Sequence, residues 1–270
     1  MGLNVGFEKN SFKKRLKSML AVDFRRMFTS PLFYIMMAVS LVIPILILVM
    51  TSMMDGMVTV DPQTGAESVM EGFKNVWQII GSISGDGSST MGMDITSMCN
   101  INLMFFFISI FVCVFVADDF RSGYVKNLFT VRAKKNDYVL SKSIVCFVGG
   151  SGMIIAFFIG SMIGGVFAGL PFTLENVNAG NIIMSMLSKI LLVGIFTSIY
   201  ILASVVAKQK LWLSLVLSFG IGMLMFMMIP IITPLNSTFI NVILCFIGSI
   251  LFGLGIGVGS YYVLKKTSLI

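Results

Sequence analysis

LWLSLVLSFGIGMLMFMMIPIITPLNSTFINVILCFIGSILFGLGIGVGSYYVL, residues Leu211–Leu264, runs for 54 residues without a charged side chain. A helix rises about 1.5 Å per residue, so roughly 20 apolar residues cross the hydrocarbon core of a bilayer. This stretch therefore holds material for two crossings. Pro230 and Pro234, with Asn236 and Ser237 just beyond, supply the break between them.

Outward from that stretch the same pattern repeats. Residues Met27–Met54, Ile95–Ala117 and Ser143–Leu174 carry no charge, and Asn176–Ala207 is broken only by Lys189. The spacing predicts six helices, near 32–54, 98–117, 139–169, 181–206, 211–230 and 238–264. Mean hydropathy of +0.97 places the chain far from soluble domains. The runs are continuous rather than alternating, which excludes a β-barrel. The expected fold is an all-α membrane protein with six transmembrane helices.

Lys and Arg orient it. Lys9, Lys13, Lys14, Arg15, Lys17, Arg25 and Arg26 precede the first span, and Lys265 and Lys266 follow the last. Arg121, Lys126, Arg132, Lys134 and Lys135 lie between the second and third spans, and Lys208 and Lys210 between the fourth and fifth. The other side has Lys74 alone, against Asp55, Asp61, Glu67, Glu71, Asp86, Asp94 and Glu175. Both termini are thus expected in the cytoplasm of a plasma membrane. This rule accounts for the net charge of +7 without a nucleic-acid partner. The long charged leader and full first span argue against a cleavable signal peptide.

Residues 1–30 form the leader, and 31–270 the membrane domain, with an outer loop at 55–97 and a cytoplasmic loop at 118–137. In the leader, Phe12, Leu16, Met19, Leu20 and Met27 share one side of a helical wheel over residues 12–29. Asp23 falls inside that stripe. Ser30-Pro31 ends the helix. In the outer loop, Val69, Met70, Phe73, Val76, Trp77 and Ile80 predict a short amphipathic helix over 66–80, with Phe73 and Trp77 as candidate contacts for an amphiphile. A Gly/Ser linker follows over 81–92. Gly160, Gly164, Gly165 and Gly169, and the row Gly253, Gly255, Gly257 and Gly259, permit close helix packing. Cys99, Cys113, Cys146 and Cys245 stand singly in apolar runs and read as small buried side chains.

The chain contains no GxxxxGK[ST] loop and no histidine, and no Asp or Glu falls in the middle of an expected span. Ion-coupled transporters generally place ionisable groups at that depth. Lys189 is the one deep candidate, open to three roles: snorkelling outwards, pairing with a carbonyl, or contacting an acidic or phosphate-bearing substrate. A membrane protein with no engine of its own implies an engine on another chain.

The segment ADDFRSGYVKNLFTVRAKKNDYVLSK, residues Ala117–Lys142, is where such a partner would act. Asp119, Gly123, Leu128, Lys135 and Lys142 fall at the spacing at which permeases of type-2 ABC exporters enter and leave their first cytoplasmic loop. The chain resembles that family, with Arg132 where Pro is usual, Lys135 where Arg is usual, and Ser141 where a Gly often precedes the Lys. The resemblance implies that residues 12–29 are an elbow helix and residues 119–136 a coupling helix. Phe120, Tyr124, Leu128 and Phe129 would then seat in a partner's cleft, with Arg121, Lys126 and Arg132 at its rim. It further implies separate ATPase subunits that bind ATP and Mg, a second permease subunit, and outward movement of an amphiphile. The large outer loop looks most like permeases that remove lantibiotics or bacitracin from bacteria. Two rival classes remain: a non-transporting sensor or assembly protein reading a ligand through loop 55–97, and a secondary transporter working through Lys189.

Overall fold

The computed structural model describes residues 12–60, 67–69, 72–82, 100–131, 134–173, 177–226 and 228–266. Nine α-helices occur among them: α1 Phe12–Thr29, α2 Pro31–Met54, α3 Met104–Arg121, α4 Tyr124–Val131, α5 Lys135–Ala168, α6 Ala179–Ala207, α7 Leu211–Phe226, α8 Ile229–Ile232 and α9 Phe239–Lys266. Two three-residue strands, β1 Val58–Val60 and β2 Glu67–Val69, pair antiparallel with Val58 opposite Val69. Five helical segments are long and apolar enough to cross a membrane: Pro31–Met54, Ile101–Arg121, Lys135–Ala168, Ala179–Ala207 and Phe239–Lys266. The architecture is that of a helical, multi-pass membrane protein.

The fifth expected span, near 211–230, differs. α7 has 16 residues, about 24 Å of helix, short of the roughly 30 Å hydrocarbon core. The apolar run continues past it, but α8 adds only Ile229–Ile232, with Pro230 in its first turn. Proline has no N–H to give the preceding turn and its ring crowds that turn's carbonyl, so the helix restarts there.

Helix α6 is the centre of the bundle. Leu192, Val193, Phe196, Tyr200 and Val205 are buried, and the Tyr200 hydroxyl donates to the Phe105 carbonyl at 3.0 Å. It packs against α3, α5, α7 and α9. Helix α2 lies along α5, and the glycines of α5 allow it. A Cβ on Gly160 would collide with the Leu41 carbonyl oxygen, and one on Gly164 would stand 2.8 Å from the Ile45 Cα. Pro44, inside α2, faces the same glycine. Here the small side chains are where two backbones meet. The row on α9 differs: Gly255 and Gly259 face open space.

At the end of the bundle where α2 stops, the expected helix over 66–80 is absent among the described residues. Residues 67–69 are strand, and Val76–Ile79 form one 3-10 turn. The cause is local and then tertiary. Asn75 Oδ1 accepts from the Trp77 N–H at 2.9 Å, and Gln78 Oε1 accepts from the Lys74 N–H at 2.8 Å, closing a tight turn. Val76, Ile79 and Ile80 are then all buried. Phe73 and Trp77 are buried with them. The Trp77 indole donates to the Phe172 carbonyl at 2.6 Å and stacks on Phe158. The linker from residue 83 onwards, and Cys99, lie outside the described residues. Cys113, Cys146 and Cys245 are buried free thiols.

Candidate functional site

The opposite end, called the base here, collects the charged side chains. Helix α1 lies against α5 with Met19, Asp23 and Met27 inward, a stripe of one residue every four. Phe12, expected on that stripe, is exposed. Asp23 is fully buried because its partner is across the interface. Lys142 on α5 donates to Asp23 Oδ1 at 2.9 Å, and Ser141 donates to Asp23 Oδ2 at 2.6 Å.

Asp119, in the last turn of α3, completes the cluster. Its Oδ2 faces Lys142 Nζ at 2.8 Å and accepts from the Tyr138 hydroxyl at 2.9 Å. Its Oδ1 accepts from Arg26 Nη1 of α1 at 2.5 Å. Asp23, Asp119 and Lys142 are all 0% exposed. The third side of the Lys142 ammonium looks onto the Phe115 ring at 4.2 Å. Two carboxylates therefore meet two cations, and every carboxylate oxygen has a donor. A buried charge is tolerated only when paired and hydrogen-bonded in this way. A second tie lies alongside, where Arg15 Nε donates to the buried Asp137 at 3.0 Å.

Glycine makes the turn that positions α4. Gly123 takes φ +72°, a left-handed conformation, and separates α3 from α4. On α4, Val125 is buried and Tyr124, Leu128 and Phe129 are half-buried, so its apolar face turns into the base. Phe129 meets Tyr138 edge to face, and the Arg26 guanidinium stacks over Tyr124 at 4.3 Å. Burial, with the charge of Asp23 close by, raises the pKa of the Tyr124 phenol. Burial works against the Arg26 cation, yet Asp119 outweighs it and holds the guanidinium above its ordinary value.

Of the expected partner face, Phe120 is buried, and Tyr124, Leu128 and Phe129 are half-buried with contacts inside the base. The outward face is Arg121, Lys126, Asn127 and Thr130. Lys135 spans to the end of α9, donating to the Leu264 carbonyl at 2.6 Å. Arg132 lies outside the described residues. Asp119 and Lys142, expected at the two ends of a loop motif, form one buried pair. Sequence reasoning missed Asp23, Arg26, Tyr138 and Ser141 as its other members. Asp23 inside an apolar stripe was the available signal.

Lys189 sits far away, near the end bearing the strands. It is fully buried and donates to the Thr233 carbonyl at 3.0 Å and the Thr233 hydroxyl at 2.8 Å. Of the three roles open to it, pairing with a carbonyl is the one observed. The Leu235 N–H donates to the Ser82 carbonyl at 2.8 Å, so this lysine anchors the corner where α8 gives way to α9. Among the described residues, no group of three His, Cys, Asp or Glu is placed to hold a metal. The chain matches no protein-family model, no curated protein and no solved structure.

Proposed function

We propose that this chain is the membrane-spanning subunit of an ATP-driven exporter of the type-2 ABC class. It would have six spans, with α7 and α8 together making the fifth, and both termini in the cytoplasm of a bacterial plasma membrane. Two such subunits would sit on separate ATPase subunits, which bind ATP and Mg, and would move an amphiphile such as an antimicrobial peptide, a drug or a lipid outwards. No nucleotide chemistry is assigned to this chain.

One observation carries the reading. Helix α4 turns Lys126 outward beside Arg121, while its inner face packs on the base through Tyr124 under the Arg26 guanidinium and Phe129 against Tyr138. Behind these contacts, ion pairs join two long helices and the leader. A partner pressing on α4 would move α3, α5 and α1 together. A solvated connecting loop needs no such bracing. A short stiff helix that receives a push does.

Purification from the native membrane in mild detergent tests this. A stoichiometric partner bearing a GxxxxGK[ST] loop, lost when residues 124–131 are deleted, is the expected result. Recovery alone, or with a kinase, would replace this reading with the sensor alternative. The Lys189 transporter has less support, because that ammonium is engaged with Thr233 and no carboxylate pairs with it among the described residues.

A further inference from the structure

At the corner where α1 turns into α2, a cavity of about 220 Å³ opens between Arg26, Thr29, Ser30 and Leu32 on one side and Val114, Phe115 and Asp118 of α3 on the other. Its place in the fold sets its surroundings. A basic amphipathic helix meets a long apolar helix here through Ser30-Pro31, so the corner belongs at the depth of lipid headgroups.

The cavity is polar at one end and apolar at the other. Asp118 is two-thirds exposed (67%), and Arg26 is 27% exposed. Arg26 Nη2 stands 3.8 Å from Asp118 Oδ2, too far for a hydrogen bond. The other guanidinium arm is committed to Asp119. A cation and an anion thus stand side by side at the lip, each with hydrogen-bonding capacity that their mutual contact does not use. Below them Leu32, Val114 and Phe115 make an apolar floor.

We propose that this groove binds a membrane phospholipid whose headgroup carries a phosphate and a primary ammonium, of the phosphoethanolamine type. The phosphate would lie against Arg26 Nη2, the ammonium would donate to Asp118, and the first acyl carbons would cover Leu32 and Phe115. A purely anionic headgroup would meet the Asp118 carboxylate without a counter-charge. A choline headgroup has no N–H to donate. The site goes beyond the exporter reading and stands whichever partner drives the protein.

The test uses the full chain in bilayer discs holding equal amounts of phosphatidylethanolamine, phosphatidylcholine and phosphatidylglycerol, followed by native mass spectrometry of retained lipid. Phosphatidylethanolamine should be retained about two- to fivefold over the other two, the scale of one exposed ion pair. Asp118→Asn, on an exposed side chain, should remove that preference without changing helical content. Leu32→Trp should lower retention of all three lipids by filling the floor. Preference for phosphatidylglycerol or phosphatidylcholine in the unaltered protein, equal retention of the three, or an unchanged profile in Asp118→Asn would each overturn the assignment.

Discussion

Lys142 shows how one residue can hold two sequence-distant elements. It meets Asp23 across 119 positions and Asp119 across a turn of chain, and all three side chains are out of solvent. Removing one partner of a buried ionic group costs about 3–5 kcal/mol, chiefly because the other charge is left unpaired. Lys142→Met leaves Asp119 with Arg26 and Tyr138 but leaves Asp23 with Ser141 alone. The single variant should therefore lose stability in that range, and Lys142→Met with Asp23→Asn should regain more than half of it. Thermal unfolding in detergent checks this, and strictly additive losses would contradict the pairing. Lys142 and Asp119 were legible as loop landmarks, because their spacing is local information. Their pairing was not, since a contact to residue 23 has no trace in local spacing beyond an acid placed among apolar neighbours.

At the level of elements, length and charge told most of the story. Four of the expected spans have close counterparts in α2, α5, α6 and α9, and α3 begins later but runs on to Arg121. Hydropathy cannot tell a full span from an apolar run that breaks partway, which is why α7 and α8 were read as one helix. It also cannot tell a buried plug from a surface helix, because Val76, Trp77 and Ile80 satisfy the same periodicity in either role. The glycine rows carry the same ambiguity and permit a direct comparison. Gly160→Leu would drive a side chain into the backbone of α2, whereas Gly255→Leu meets open space. Overpacking of this kind costs about 1–3 kcal/mol. Size-exclusion profiles should show Gly160→Leu with reduced yield of monodisperse protein and Gly255→Leu close to the parent. Equal damage at both positions would mean that α9 is packed against something through Gly255.

Across the whole molecule, the proposed exporter function would place docking and transmission on different residues of the same region. The outward face of α4 with Arg121 is available to a partner, while the cluster behind it joins α1, α3 and α5. Exposed charges removed from such a network change stability by no more than about 0.5 kcal/mol. Arg121→Glu with Lys126→Glu should therefore unfold at the parent temperature yet lose the ATPase partner on purification, because like charge at the rim opposes docking. Asp23→Asn should do the reverse. It lowers the unfolding temperature by weakening the hold on Lys142, keeps the partner, and reduces how much the partner's ATPase responds to the permease. Purification stoichiometry and ATPase rate, measured on the same preparations, separate the two effects. If both variants lose the partner together, the buried cluster is needed to shape the docking face itself, and α4 and α1 form one docking surface in place of a face and its brace.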